Sequence, residues 1–438
     1  MRVPASLRQW RPTNAHVRAV AGGIAMLALS LATHRPDLVV MATPLVVIAA
    51  WGTFTRPSSE PALSSRLGLR SLREGESTYL HYRLTDTSGV HAVSAVVRDS
   101  PWLQVQPVRR ALTVHVDPAS DQPIDVSFGV RAVRWGEHRV GPGVLTLTSC
   151  WGAFRWGTIP IQEEQLLTLP APVTFDNRAP NPHPQGLVGI NRSARPGEGS
   201  EFNTIRPFQV GDRLRRIHWP SSLRTGTLNV ASTYADHDSQ VLVIVDATND
   251  IGRSDGIDGA ASTLDITIRA AAAVAEHYIR RGERVAMRIF GAGDPTVHQA
   301  ATGLAHLRRM LAALARTEPG GSYEKQQINA RYRIDPGTLV IMMSPLVSSA
   351  TLLRALALAH RGLTLVVVDT MPATVTHDND EAGFVALAWR IRMLERNVEI
   401  SQVTSAGIPV VDWRGPGSLD QILRDVGRRA AAPRLAHR

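Results

Sequence analysis

The sequence is poor in cysteine, lysine and aromatic side chains. It has one cysteine, Cys150, one lysine, Lys325, and only 5% aromatic residues in 438. A single cysteine excludes an intramolecular disulfide framework and a cysteine-based zinc cage. Lys325 lacks both the following Ser or Thr and the glycine spacing of a P-loop, so the chain is not a Walker-type ATPase. His-Glu-x-x-His and Gly-x-Ser-x-Gly are also absent, which removes the signatures of zinc proteases and serine hydrolases.

Lysine is scarce, but basic charge is not. The chain has 48 basic and 38 acidic side chains and a formal net charge of +10, nearly all of it from arginine. Such an excess suits an anionic membrane surface as well as a nucleic acid. The basic and aromatic cluster at 215–219 lies inside a longer motif described below. We therefore expect membrane lipid, and no nucleic acid, among the partners.

Two long uncharged runs lie near the amino terminus, at 19–33 and 38–55. They predict a transmembrane helical hairpin over residues 1–55, with spans at about 17–34 and 37–55. By the positive-inside rule, both ends of the hairpin and the bulk of the chain are cytoplasmic. The arginines that carry this argument precede the first span or follow the second: Arg2, Arg8, Arg11, Arg18, Arg56, Arg66, Arg70 and Arg73. The prediction is a multi-pass protein of the cell membrane.

Two alternatives stay open for this segment. Residues 1–32 also have the form of a signal peptide, with small residues at 30 and 32 as a cleavage site. The second span would then still deliver the rest of the chain to the cytoplasm. Alternatively, both runs are buried core helices of a soluble domain.

After the hairpin, the pattern changes to short runs of alternating polarity, such as 78–84 and 112–116, separated by turn-forming residues. A period of two predicts an antiparallel β-sandwich-like domain over residues 56–175. Residues 176–239 begin with a stretch rich in proline and glycine, which predicts a linker leading into a motif.

From residue 240 onward, strands and helices alternate. The run at 241–246 is continuously apolar, as in strands that are buried on both faces. Further strands are predicted at 285–290, 338–343, 363–369 and 408–411, and helices at 262–281, 302–317, 349–361 and 382–396. This order predicts an α/β domain over 240–413 with a doubly wound parallel sheet, whose ligand crevice lies at the carboxyl ends of the strands. A basic tail follows at 414–438, with a last helix predicted at 419–429.

An ordered motif precedes the α/β region. It reads Gly-x-Gly-x-Glu-Phe at 197–202, Arg-Pro-Phe at 206–208, Gly-Asp-x-x-Arg-x-Ile-His-Trp at 211–219 and Ser-x-Arg at 222–224. This motif resembles the signature of the family called domain of unknown function 58, a von Willebrand factor A-like group of bacterial membrane-anchored proteins often encoded beside MoxR-type AAA+ ATPases. The resemblance implies a von Willebrand factor A-like, Rossmann-like fold after residue 240 and a MoxR-type ATPase as partner. Phe208, His218 and the run 149–152 depart from the family pattern, and His218 replaces its usual Asp.

Two interpretations of this signature motif are open. Its charges lie close in sequence, so Glu201 can pair with Arg206 and Asp212 with Arg215, while apolar members such as Trp219 anchor a structural buckle. Alternatively, the motif is a surface that binds a partner or an anion. A catalytic role is disfavoured because no nucleophile and base accompany the acids. The residues that would carry either role are Gly199, Glu201, Phe202, Arg206, Gly211, Asp212, Arg215, Trp219, Ser222 and Arg224.

The second candidate site is Asp-Ala-Thr-Asn-Asp at 246–250, directly after the first strand of the α/β region. The family resemblance implies a divalent-ion site here, of the form Asp-x-Ser-x-Ser, with a Thr from a second loop and an Asp after a later strand. Asp246, Thr248 and Asp250 fit the first part, Thr302 is a candidate loop ligand, and Ser344 stands where the later Asp is expected. Because hard oxygen ligands suit Mg²⁺, the site either binds Mg²⁺ weakly or is a degenerate remnant.

These features predict a membrane-anchored, cytoplasm-facing adaptor rather than an enzyme. The resemblance implies that it works with a MoxR-type AAA+ ATPase in the assembly or maturation of membrane or envelope complexes. One alternative is a metal-dependent hydrolase that uses Asp246 and Asp250, which the absence of a third acid and of a base disfavours. Another is an exported adhesion-like receptor, which the arginines around the two spans oppose.

Overall fold

The computed structural model describes residues 9–107, 111–118, 120, 122–172, 196–209, 212–234, 240–292, 294–320, 334, 338–361, 363–372 and 384–415. The chain divides into two compact units, Met1–Leu169 and Pro170–Arg438. The first contains the predicted hairpin and the β-rich region, and the second contains the signature motif and the α/β region. Gly211 and the tail helix predicted at 419–429 lie outside the described residues.

The apolar runs near the amino terminus form two helices, α1 (Asn14–Thr33) and α2 (Asp37–Phe54). Thr13 caps α1 by accepting a hydrogen bond from the His16 amide, and His34 ends the helix in the left-handed conformation. Both helices are long and apolar enough to cross a membrane by length and composition, with mean hydropathies of 1.5 and 1.7. They coincide with the predicted spans to within three residues.

Among the described residues of the first unit, strands form sheets in the orders β1-β11-β10-β5-β7, β2-β4-β8-β6 and β3-β12-β9. Pairing is antiparallel except between β3 and β12. Every second residue of β4 is buried, and residues of the first two sheets share one core. The antiparallel strands that alternating polarity predicted for this region are therefore present. The strands are β1 (Trp10–Pro12), β2 (Ala62–Leu67), β3 (Ser71–Arg73), β4 (Ser77–Thr85), β5 (Ala92–Val97), β6 (Leu103–Gln106), β7 (Leu112–His115), β8 (Ile124–Ala132), β9 (Gly136–Val140), β10 (Gly143–Thr148), β11 (Phe154–Ile161) and β12 (Glu164–Leu169).

The base of the helical hairpin packs against these strands. β1, which leads into α1, pairs antiparallel with β11, and the Thr13 amide donates to the Ala153 carbonyl at 2.9 Å. Gly52 in the last turns of α2 lies so close that a Cβ added there would stand 2.6 Å from the Ala153 Cβ. The hairpin base and the β-rich region are therefore held together within the first unit.

The second unit begins, in its described part, with an antiparallel hairpin of β13 (Pro196–Pro207) and β14 (Asn229–Tyr234). The connection between these strands contains a 3₁₀ turn at Leu214–Arg216 and the short helix α3 (Trp219–Thr225). The signature motif thus occupies one strand of the hairpin and the connection to the other. Gly199, Glu201 and Phe202 lie in β13.

A mixed sheet follows, in the order β17-β16-β15-β18-β19-β20, and neighbouring strands are parallel except β16 and β17. In the connections between strands, α4 packs against α5 and α6 against α7. Ser262 and Asp265 form a capping box at the start of α4. The elements are β15 (Gln240–Asp246), α4 (Thr263–Arg280), β16 (Arg284–Phe290), β17 (Thr296–Ala301), α5 (Leu304–Ala315), β18 (Leu339–Ser344), α6 (Ser349–His360), β19 (Thr364–Asp369), α7 (Phe384–Ser405) and β20 (Val410–Asp412).

The alternation of strands and helices is confirmed, with two differences. β17 was not predicted, because this edge strand is largely exposed and polar and carries no buried apolar run. α7 was predicted to end at residue 396 but continues to Ser405. The helix stop is Gly407, which follows in the left-handed conformation.

Candidate functional site

The strand order of the second unit changes direction between β15 and β18. β16 lies on one side of β15, whereas β18, β19 and β20 follow on the other. In open α/β sheets such a switch point leaves a crevice at the carboxyl ends of the strands, where ligands bind. Asp246, Ser344 and Asp369 are the last residues of β15, β18 and β19. The sequence placed the candidate metal site at this edge, and Asp246 lies there.

The Asp246 carboxylate accepts four hydrogen bonds. Its Oδ1 accepts from the Thr248 amide at 3.2 Å and the Thr248 hydroxyl at 2.6 Å. Its Oδ2 accepts from the hydroxyls of Ser344 at 2.7 Å and Thr351 at 3.0 Å. All four residues are buried. Because a carboxylate has about four lone-pair positions, these donors use its full acceptor capacity.

Thr302, the predicted loop ligand, lies near the amino ends of the parallel strands, whereas Asp246 lies at their carboxyl ends. Thr302 follows β17, whose last residue, Ala301, pairs with Val285 near the amino end of β16. Asp246 instead pairs with Phe290 at the carboxyl end of the same strand. The separation along the strand is about 17 Å at 3.3 Å per residue. The structure does not bring Thr302 to Asp246, because the unpredicted strand β17 carries the chain back across the sheet.

The remaining predicted ligand, Asp250, accepts a hydrogen bond from the Leu264 amide in the first turn of α4, at 3.2 Å. In the part of the chain that the structure describes, no group of three or more His, Cys, Asp or Glu side chains is placed to hold a metal ion. The surroundings of Asp246 do not fit Mg²⁺ either, since its lone pairs already accept hydrogen bonds and the side chains around it are buried. We therefore derive no metal chemistry from this site.

Sequence reasoning missed a buried ion pair at the same edge. The Arg396 guanidinium on α7 forms a salt bridge with the Asp369 carboxylate and donates to the Pro345 carbonyl at 3.0 Å. Burial raises the pKa of the Asp369 carboxyl, although Arg396 acts in the opposite direction. An acid directly after an apolar strand is a usable sequence signal, but nothing local marks Arg396 as its partner.

In the signature motif, Arg206 pairs with Asp212. The two guanidinium nitrogens lie 2.9 and 2.6 Å from the two carboxylate oxygens, and the Gln209 amide donates to Asp212 at 2.8 Å. The Arg206 hydrogen bonds lower the pKa of the Asp212 carboxyl. The prediction of a charge-paired motif is thus met by a different pair, since Asp212 was expected to bind Arg215. Arg206 and Asp212 are six residues apart, and the spacing of the motif alone did not indicate that they meet.

Ser222 and His218 hold the connection in shape. The buried Ser222 hydroxyl donates to the His218 carbonyl at 3.0 Å and accepts from the Asn229 amide at 2.9 Å. His218 Nδ1 accepts from the Ser221 amide at 3.3 Å and so caps α3. The departure from the family's Asp therefore keeps a capping acceptor at this position, because an imidazole nitrogen can replace a carboxylate oxygen there.

The outer surface of the connection is apolar and basic. Trp219 is 59% exposed and Leu223 is 82% exposed, and Leu214 and Leu228 are exposed too. The side chains of Arg215 and Arg224 are also exposed. Trp219 is thus not the buried anchor that the sequence suggested. A large apolar side chain surrounded by arginines on an exposed surface is typical of a binding site.

Comparisons with known proteins give matches to parts of this chain. Uncharacterized proteins of Mycobacterium tuberculosis and Mycobacterium bovis are 30% identical to this chain over 131 residues, which are 30% of this chain and 40% of each relative. The match thus spans about 40% of the length of these curated relatives.

Solved structures give weak matches. A β-glucosidase from Listeria innocua in complex with gluconolactone has a TM-score of 0.16 at 13% identity, over 25% of this chain and 16% of that one. The complex of zinc α2-glycoprotein and prolactin inducible protein from human seminal plasma has a TM-score of 0.15 at 10% identity, over 24% and 91%. The model of the family described as protein of unknown function DUF58, the family that the signature motif resembles, matches residues 204–378, a stretch that begins within that motif.

Proposed function

We propose that this chain is a membrane-anchored interaction protein that uses the outer surface of the signature motif to bind a partner. The observation that carries the proposal is the exposed Trp219 and Leu223 among exposed arginines. The Arg206 to Asp212 pair and the Ser222 hydrogen bonds hold the backbone beneath this surface in one shape. A pre-shaped apolar surface binds more tightly because less conformational entropy is lost on binding.

The anchor in this proposal is the helical hairpin of α1 and α2, and the bulk of the chain faces the cytoplasm. Trp51 near the end of α2 and Trp151 in the adjacent loop are both exposed, and Trp side chains favour the membrane interface. A reporter that works only in the cytoplasm should be active when it is fused after Arg438, and a reporter that works only outside the membrane should be inactive there. Activity only outside the membrane would contradict this orientation.

The partner we propose from the family resemblance is a MoxR-type AAA+ ATPase, and the role is assembly or maturation of membrane or envelope complexes. The fold proposed for the α/β region is von Willebrand factor A-like. A basic and apolar surface suits a partner with acidic side chains around an apolar pocket. No observation favours a hydrolase, since Asp246 is saturated with donors and Asp250 binds the start of α4.

Retention of the ATPase by purified full-length protein tests the proposal. Leu223→Ala should weaken retention about tenfold or more, as expected for an interface hot spot. Leu353→Ala is the matched control, because it removes another exposed helical leucine outside the motif. Arg206→Ala should weaken retention and lower the melting temperature, because it removes the pair that shapes the motif. Equal retention by the Leu223 and Leu353 variants would contradict the proposed surface.

A further inference from the structure

Helix α7 has two faces of different character. On the inner face, Arg392 donates to the Val347 carbonyl at 2.7 Å and to Glu399 at 2.9 Å. Arg396 binds Asp369, and Val403 is buried. These residues recur every three or four positions, so these contacts lie on one side of the helix.

The opposite face of α7 carries an exposed apolar stripe. Its members are separated by three, four, three and four residues, and every one is at least half exposed: Phe384, Leu387, Ile391, Leu394 and Val398. The mean spacing is 3.5 residues, the period at which two helices wind around each other. A buried helix face would not leave Phe384 75% exposed and Leu394 67% exposed.

The residue types in the stripe select one arrangement of helices. If Phe384 begins a heptad, Ile391 and Val398 occupy a positions, and Leu387 and Leu394 occupy d positions. β-branched residues at a with leucine at d favour parallel two-stranded coiled coils.

The flanking charges agree with this arrangement. Arg390 then lies at g and Glu395 at the following e position, and in a parallel pair g of one helix faces the next e of the other. In an antiparallel pair, a positions face d positions, so a register that joins Ile391 to Leu387 of the second copy would bring Arg390 close to Arg390 of that copy. Glu395 binds Arg392 of its own helix at 3.2 Å. If Glu395 paired with Arg390 of the second copy instead, Arg392 would still have Glu399 as a partner. Charge complementarity therefore favours a second, parallel copy of the same helix.

We propose that two copies of this chain associate through α7, which pairs with α7 of the second copy as a parallel coiled coil. The stripe spans about two heptads, so the contact is weak by itself. Anchoring both copies in one membrane would raise their effective concentration and favour the pairing.

Disulfide cross-linking of the full-length chain in membranes tests this pairing, with Cys150→Ser as the background. In a parallel pair, each d position faces itself, so Leu387→Cys and Leu394→Cys should each give a cross-linked dimer under mild oxidation. Val385→Cys is the matched control, because Val385 is as exposed as Leu387 (54% and 55%) but lies off the stripe. The control should give at least about fivefold less dimer.

Charge reversal provides the second readout. Arg390→Glu should lower the cross-linked fraction of Leu394→Cys about fivefold, because like charges then face each other in both g and e pairs. Adding Glu395→Arg should restore it. Dimer formation by the Val385 control at the same level would overturn the proposal, as would no dimer from either stripe position. If Leu387→Cys cross-linked to Ile391→Cys in a mixture of the two variants, with no dimer from Leu387→Cys alone, the pair would be antiparallel and the proposed parallel pairing would be overturned. Protection of these cysteines from alkylation in a monomer would mean that the chain's own residues cover the stripe.

Discussion

Replacing Asp246 with alanine distinguishes a hydrogen-bonding hub from a metal ligand. The substitution leaves four buried donors, the amide and hydroxyl of Thr248 and the hydroxyls of Ser344 and Thr351, without their acceptor. At about 1 kcal/mol for each buried donor left unsatisfied, the free energy of unfolding should fall by about 4 kcal/mol. For a domain of this size, that loss lowers the melting temperature by about 8 to 16 °C.

Calorimetry of the full-length protein in detergent measures the transition of the second unit. Asp412→Ala is the matched control, because Asp412 ends β20 at the same sheet edge but is exposed and binds Arg414 at the surface. Its effect should stay within about 0.5 kcal/mol. Asp246→Asn should fall between the two, because the hydroxyls of Ser344 and Thr351 can rotate to accept hydrogen bonds from the new amide group.

Added magnesium distinguishes the two roles directly. A site that binds Mg²⁺ no more tightly than about millimolar gives little stabilisation in 1 mM salt, whereas a micromolar site adds about 4 kcal/mol. We therefore expect the wild-type melting temperature to change by no more than about a degree or two. A rise of about 8 °C or more that disappears in Asp246→Ala would refute the reasoning, and so would a loss below about 1 kcal/mol for Asp246→Ala without metal.

Two further predictions concern close contacts in each unit. Arg396→Leu leaves Asp369 buried without its cation and should cost about 3 to 5 kcal/mol at neutral pH. Because burial raises the pKa of the Asp369 carboxyl, this loss of stability should shrink as the pH falls and the carboxyl becomes protonated. Thermal unfolding of both proteins between about pH 7 and 4 measures the difference. A difference that stays constant over this range would contradict the role of Asp369 as a buried charged partner of Arg396. Gly52→Ala should destabilise the first unit by about 1 to 3 kcal/mol, because the new methyl group overlaps Ala153. Gly22→Ala, whose Cβ meets its nearest neighbour at 3.7 Å, should have little effect in the same calorimetric scan, and equal losses would contradict the packing argument.

The sequence by itself determined the order of elements and the likeness of the signature motif to the family whose model matches residues 204–378. The apolar runs of α1 and α2, the alternation in β4 and the continuous strand β15 are local patterns, and local periodicity specifies an element wherever the chain places it. The signature motif could also be recognised from the sequence, because its members lie within a span of about thirty residues. These features specified a hairpin, a β-rich region and an α/β region in the right order.

Tertiary structure decided which side chains meet. Ser344 and Thr351 lie 98 and 105 residues from Asp246, and only the neighbouring positions of β15 and β18 bring them to one carboxylate. Thr302 lies far from Asp246 because β17 runs antiparallel to β16 and returns the chain to the amino end of that strand. The sequence did not predict β17, because a short polar edge strand contains no apolar run. The stripe on α7 and the exposed Trp219 make the same point. A pattern of apolar residues shows that a face avoids water, whereas the packing of the whole unit decides whether that face meets the protein's own core or remains open to a partner.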